Sequence, residues 1–88
     1  MEVIIRGHAS FEAERRGIKE ELIKSVINNP QQKTPSKKGR VISQSKYYDE
    51  EENKEMLLRV IGIETFDKFQ VVTVYKTSKI SKYWMTGG

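Results

Sequence analysis

"EMLLRVIGIETFDKFQVVTVYK", Glu55 to Lys76, decides the fold. Leu58, Val60, Ile61 and Ile63 make Glu55–Thr65 a strand. Phe66-Asp67-Lys68 is a turn. Phe69–Lys76 is the strongest strand of the chain, because Val71, Val72, Thr73, Val74 and Tyr75 are all β-branched or aromatic. Two such runs with a short turn between them predict an antiparallel pair. Working outward, Arg40–Tyr48 is a further strand, reached through the acidic turn Asp49–Asn53. Ile80–Trp84 is expected to add a short last strand, and Gly87-Gly88 to fray.

A sheet with one apolar face needs a cover. Ile18, Leu22, Ile23, Val26 and Ile27 recur at helical spacing, with Lys19, Glu20, Glu21, Lys24 and Asn28 on the other side. They predict an amphipathic helix over Lys19–Asn29, ended by Pro30. A shorter helix precedes it, about Ser10–Arg16, with Ser10 as a possible N-cap and Gly17 just past its end. If that helix starts near Gly7 instead, His8 lies in its first turn. Gln31–Lys38 reads as a polar loop or an irregular edge strand. The expected fold is α+β: two N-terminal helices packed on one face of a three- to four-stranded antiparallel sheet. At 88 residues the chain suits a single domain, 1–88.

Composition narrows the function. There is no cysteine and one histidine, so thiolate metal sites and disulfides are excluded, and no metal or cofactor is expected. No apolar run approaches the roughly 20 residues that span a bilayer, and Val3-Ile4-Ile5 is too short for a signal-peptide core. A cytoplasmic location with no membrane partner is expected. The net charge is +4, yet Asp49–Glu55 alone carries −4, which leaves +8 on the rest. A basic body with one acidic turn suits an anionic partner, nucleic acid first.

Several residues could carry chemistry. Arg59 sits mid-strand among Leu57, Leu58, Val60 and Ile61. It is either a snorkelling or glutamate-paired arginine, or an anion-binding arginine on the uncovered sheet face. On a continuous helix His8, Glu12, Arg15 and Arg16 share one side, within an arc of roughly 100°. They form an i, i+4 ladder or, with a phosphate beside the imidazole, an acid–base site. The tail interleaves Thr73, Tyr75, Lys76, Thr77, Lys79, Lys82, Tyr83 and Trp84. Its lysines can contact phosphates and its rings can stack on unpaired bases. Tyr75 is expected in the core. Lys37, Lys38 and Arg40 make a second basic patch. No nucleotide-binding loop, HExxH or nucleophile elbow occurs.

The motifs His8-Ala9, Arg16-Gly17-Ile18, Asn29-Pro30, Leu58-Arg59-Val60-Ile61, Val71–Tyr75 and Ser81–Trp84 occur in this order. Together they resemble a small prokaryotic domain family of unknown function, similar to the BrnT-type toxins of toxin–antitoxin systems within the RelE-like ribonuclease fold. The resemblance covers about Gly7 to Trp84. It implies helices on an antiparallel sheet and a metal-independent endoribonuclease of single-stranded RNA, held inactive by a protein antitoxin. By position it implies catalytic roles for His8, Arg16, Arg59, Lys79 and Tyr83. Arg15, Lys37, Lys38, Arg40, Lys76, Lys82 and Trp84 are expected to contact RNA. The family often has arginine where this chain has Glu12, and serine or threonine where it has Lys19. The alternative is a non-catalytic RNA- or protein-binding module of the same fold.

Overall fold

The computed structural model describes residues 1–86, so the expectation for Gly87-Gly88 lies outside the described residues. Five strands and three helices run in the order β1 (Glu2–Ile5), α1 (Gly7–Arg15), α2 (Glu20–Asn28), β2 (Gln32–Pro35), β3 (Val41–Asp49), β4 (Lys54–Glu64), β5 (Lys68–Thr77) and α3 (Ile80–Tyr83). A single 3-10 turn over Lys37–Gly39 joins β2 to β3.

The class is α+β, with corrections to the detail. The sheet has five strands in the order β1-β5-β4-β3-β2. It is mixed, because Val3-Ile4-Ile5 forms a strand parallel to the start of β5. Gln31–Lys38 supplies an edge strand. Ile80–Trp84 is not a strand: Ile80–Tyr83 is a third, short helix. Ser10 does not cap α1, since its N–H already donates to the Arg6 carbonyl at 2.7 Å as a helical residue.

The end of α1 follows its sequence. Gly17 takes φ +67°, a conformation cheap only for glycine. There the Ile18 N–H reaches the Ala13 carbonyl at 2.8 Å and the Gly17 N–H reaches Glu14 at 3.2 Å. This is a Schellman ending, and its Ile18 and Ala13 both join the core.

One layer of core lies between the helices and the sheet. Ala9, Ala13, Ile18, Ile23, Val26 and Ile27 pack on Leu58, Val60, Phe69, Val71 and Val74. A bulge between Ile61 and Gly62 makes both halves of β5 fit that layer. Ile61 pairs with Thr73 but Gly62 pairs with Val71, so Val72 is the extra residue. The alternation flips there. Phe69 and Val71 face the helices before the bulge, and Val74 faces them after it. Gly62 is required at this point, since a Cβ would sit 2.2 Å from the Gln70 carbonyl and 2.4 Å from the Phe69 ring.

Candidate phosphate-binding site

The same flip turns Tyr75 away from the core, which corrects the expectation that it lies there. It joins a row that crosses four strands in register: Gln32 opposite Gln44, Gln44 opposite Arg59, Arg59 opposite Tyr75. These four side chains share the sheet face that α1 and α2 leave uncovered.

Arg59 is the anomaly of this row. It is only 9 % exposed. It forms no ion pair among the described residues, and its Nε is sealed from solvent with no hydrogen-bond partner. Its company is aromatic: the Tyr83 ring centre lies 4.2 Å from the guanidinium carbon and the Tyr75 ring centre 5.8 Å. The two rings meet edge to face at 6.2 Å. Gln44, 2 % exposed, is half-satisfied. Its Nε2 donates to Gln32 Oε1 at 2.7 Å and to the Tyr83 carbonyl at 3.1 Å, while its Oε1 has no partner. A buried donor and a buried acceptor therefore stand unmatched on neighbouring strands, each at a cost of about 1–3 kcal/mol.

The cover over this row is the C-terminal segment 79–85. Tyr83 lies on Arg59. Trp84 lies on Lys46, with the ammonium 4.1 Å from its ring centre. Met85 exchanges two hydrogen bonds with Gln32, at 2.6 and 3.0 Å. No residue of α3 is fully buried.

The cations of α1 sit elsewhere. β1 ends opposite Val71, so the outer edge of β5 is unpaired from there onward. Arg16 fills part of it, donating to the Val74 carbonyl at 3.2 Å. A shallow groove of about 830 Å³ follows this edge, lined by Arg16, Glu52, Lys54, Thr73, Tyr75 and Thr77. Tyr75 thus has Arg16 in its groove on one side and Arg59 against its ring on the other. Burial raises the Tyr75 phenol above its ordinary range, against the opposing charge of Arg59.

Glu12 binds both arginines beside it, Arg15 at 2.8 Å and Arg16 at 3.0 Å. The Arg15 hydrogen bond, with the charges of Arg15, Arg16 and His8, holds its carboxyl below the usual value.

Several expected site residues do not gather. His8 is exposed in the first turn of α1, on the helical layer, while Arg59 points from the other face of the sheet. The catalytic grouping of His8 with Arg59 that the resemblance implies is therefore not formed: the two belong to different layers, and the face that carries Arg59 is strapped over. Lys37, Lys38 and Arg40 lie at the β2–β3 turn, across the sheet from the β5 edge.

Lys76 is not a free phosphate contact. It shares the helical face and pairs with Asp49 at 2.9 Å, both nearly buried. Asp49 also accepts from the Tyr47 hydroxyl and from the N–H groups of Glu51 and Glu52. The Lys76 bond first, then the Glu52 N–H, bring its pKa down to about 2.

Arg59 and Tyr83 are the two expected residues that the fold brings into contact. Lys79 is exposed before α3, its N–H bonded to Thr77 Oγ1 at 3.0 Å. Lys82 lies 5.3 Å from the Tyr83 ring centre. Gln32, Gln44 and Lys46 are site residues that the sequence analysis did not single out, and Tyr75 is one that it assigned to the core. For Gln32, Gln44 and Tyr75 the signal was the cross-strand row through Arg59; Lys46 lies one step along, opposite Leu57. Among the described residues no acidic or histidine cluster is placed to hold a metal, and no helix is long and apolar enough to cross a membrane.

Compared with known proteins, the chain matches no family model, no curated protein and no solved structure.

Proposed function

We propose that this domain is a toxin-like endoribonuclease that works on single-stranded RNA without a metal. The observation that carries the reading is the uncompensated guanidinium of Arg59. A nearly buried cation with no counter-ion, flanked by tyrosines, is a place for an anion from outside, and a phosphodiester suits its planar fork. Further support comes from Arg16, at the groove that Tyr75 lines.

In the proposed reaction the 2′-hydroxyl attacks its neighbouring phosphorus and the bond to O5′ breaks. A base takes the 2′ proton and an acid protonates O5′, leaving a 2′,3′-cyclic phosphate and a 5′-hydroxyl. Arg16 and Arg59 would steady the phosphorane charge. His8, which the resemblance makes acid or base, lies on the helical layer away from Arg59, so Tyr83, on Arg59, and Lys79 would orient the strand and pass the protons. The surrounding RNA contacts would come from Arg15, Lys82 and Trp84. A protein antitoxin covering the basic surface completes the proposal.

The second reading, RNA binding without cleavage, is favoured by the exposed position of His8 on the helical layer, away from the face of Arg59. One experiment separates the two. End-labelled single-stranded RNA is incubated in EDTA with the protein, with H8A and with R59A, and products are resolved for a cyclic phosphate terminus. Cleavage by the parent that R59A abolishes supports the enzyme, and its survival in H8A leaves the proton transfers to Tyr83 and Lys79. Salt-sensitive binding without product, weakened by R59A alone, supports the module. Neither binding nor cleavage removes both.

A further inference from the structure

We propose that Gln44, Arg59 and Lys46 form a track for about two nucleotides of single-stranded RNA, occupied in this structure by the chain's own residues 79–85. This rests on the RNA reading above and adds both a base-contacting surface and its regulation. The segment behaves as a stand-in for a nucleic acid strand. Its two rings, Tyr83 and Trp84, lie on the two cations of the track, as bases lie on guanidinium and ammonium groups. Its Tyr83 carbonyl takes the Gln44 amide.

The stand-in is imperfect, and the imperfection points to the ligand. Arg59 Nε, a donor, and Gln44 Oε1, an acceptor, remain unmatched beneath it on paired positions of β4 and β3. Every nucleobase carries an acceptor beside a donor on its pairing edge. A base edge in this place satisfies both atoms and leaves the terminal nitrogens of Arg59 to the adjoining phosphodiester, whereas a phosphate alone, which only accepts, leaves Gln44 Oε1 unmatched. The strap is also lightly held. None of α3 is fully buried, and its end is fixed by the two Gln32–Met85 hydrogen bonds. Segments with so little burial open at low free energy.

The test uses the full chain, whose single tryptophan is Trp84. Affinity for a dye-labelled RNA tetranucleotide is measured by anisotropy for the parent and for M85P, which removes the Met85 N–H bond to Gln32 and leaves Gln32, Gln44, Arg59 and Lys46 in place. Releasing one anchor of a mostly closed strap raises the apparent affinity about five- to tenfold. In the parent, unlabelled tetranucleotide makes Trp84 more accessible to acrylamide quenching, and inorganic phosphate at the same concentration does not. Tetranucleotide binding with unchanged Trp84 quenching and equal affinity for M85P overturns the strap while the RNA reading stands. An equal response to phosphate replaces the nucleotide track with a simple anion site. No tetranucleotide binding by either protein overturns both the track and the RNA reading.

Discussion

Replacing Arg59 with methionine should make the protein more stable while it abolishes the proposed RNA contact. The sealed, unmatched Nε costs about 1–3 kcal/mol. The rings of Tyr83 at 4.2 Å and Tyr75 at 5.8 Å return about 0.5–2 kcal/mol through cation–π attraction. Methionine has a similar unbranched stem, fills the same channel and brings no donor to satisfy. The difference favours R59M by about 1 kcal/mol, or about 4–8 °C in Tm for a domain of this size. The assay is a far-UV circular dichroism melt of both proteins at pH 7, without and with excess single-stranded RNA. The ligand should raise the Tm of the parent and leave that of R59M unchanged, because only the form with a free guanidinium gains binding energy. If R59M melts several degrees below the parent in plain buffer, the guanidinium is a net structural support, and its role as a waiting anion site is wrong.

Other expectations bear on the frame around the site. Asp49 has a folded pKa of about 2 against an ordinary 3.8, so its contribution is complete above the ordinary value and disappears as pH falls through the folded one. Urea midpoints should therefore drop between about pH 4 and pH 2, by the equivalent of about 2 kcal/mol, and D49N should lack that part of the slope. G62A places a methyl group into the Gln70 carbonyl and the Phe69 ring, and should cost about 3 kcal/mol by urea denaturation; a loss under 1 kcal/mol would mean that the bulge yields freely. K76M leaves Asp49 nearly buried without its cation and should destabilise by about 3 kcal/mol, whereas K37M on the exposed turn should shift the midpoint hardly at all.

The parts of this fold that were legible are those whose own residues carry the signal. The stripe Ile23, Val26 and Ile27 announces α2, and the branched run Val71–Val74 announces β5, because each pattern fits one period and one buried face. Gly17 announces the end of α1 for a similarly local reason. β1 was hidden because four residues hold too little pattern, and its partner lies more than sixty positions downstream. Ile80–Trp84 has strand-like composition but meets a row of side chains rather than a strand edge, so it closes into a helical turn.

Arg59 was recognisable as costly from its apolar neighbours. Which face it occupied, and that Tyr75 would stand beside it, depended on one bulged residue that no alternation rule anticipates. Lys76 shows the converse. Its parity with Val74 was readable after the bulge, but its pairing with Asp49 needed the β3–β4 register.

The parallel pairing of β1 with β5 has a consequence for how the chain is made. Val3, Ile4 and Ile5 are made more than sixty residues before Phe69, Gln70 and Val71, their partners in the sheet. Through that interval this greasy triplet waits without its mate, exposed to chaperones and to wrong neighbours. Of the strand pairings in this sheet, its docking has the largest loop to close.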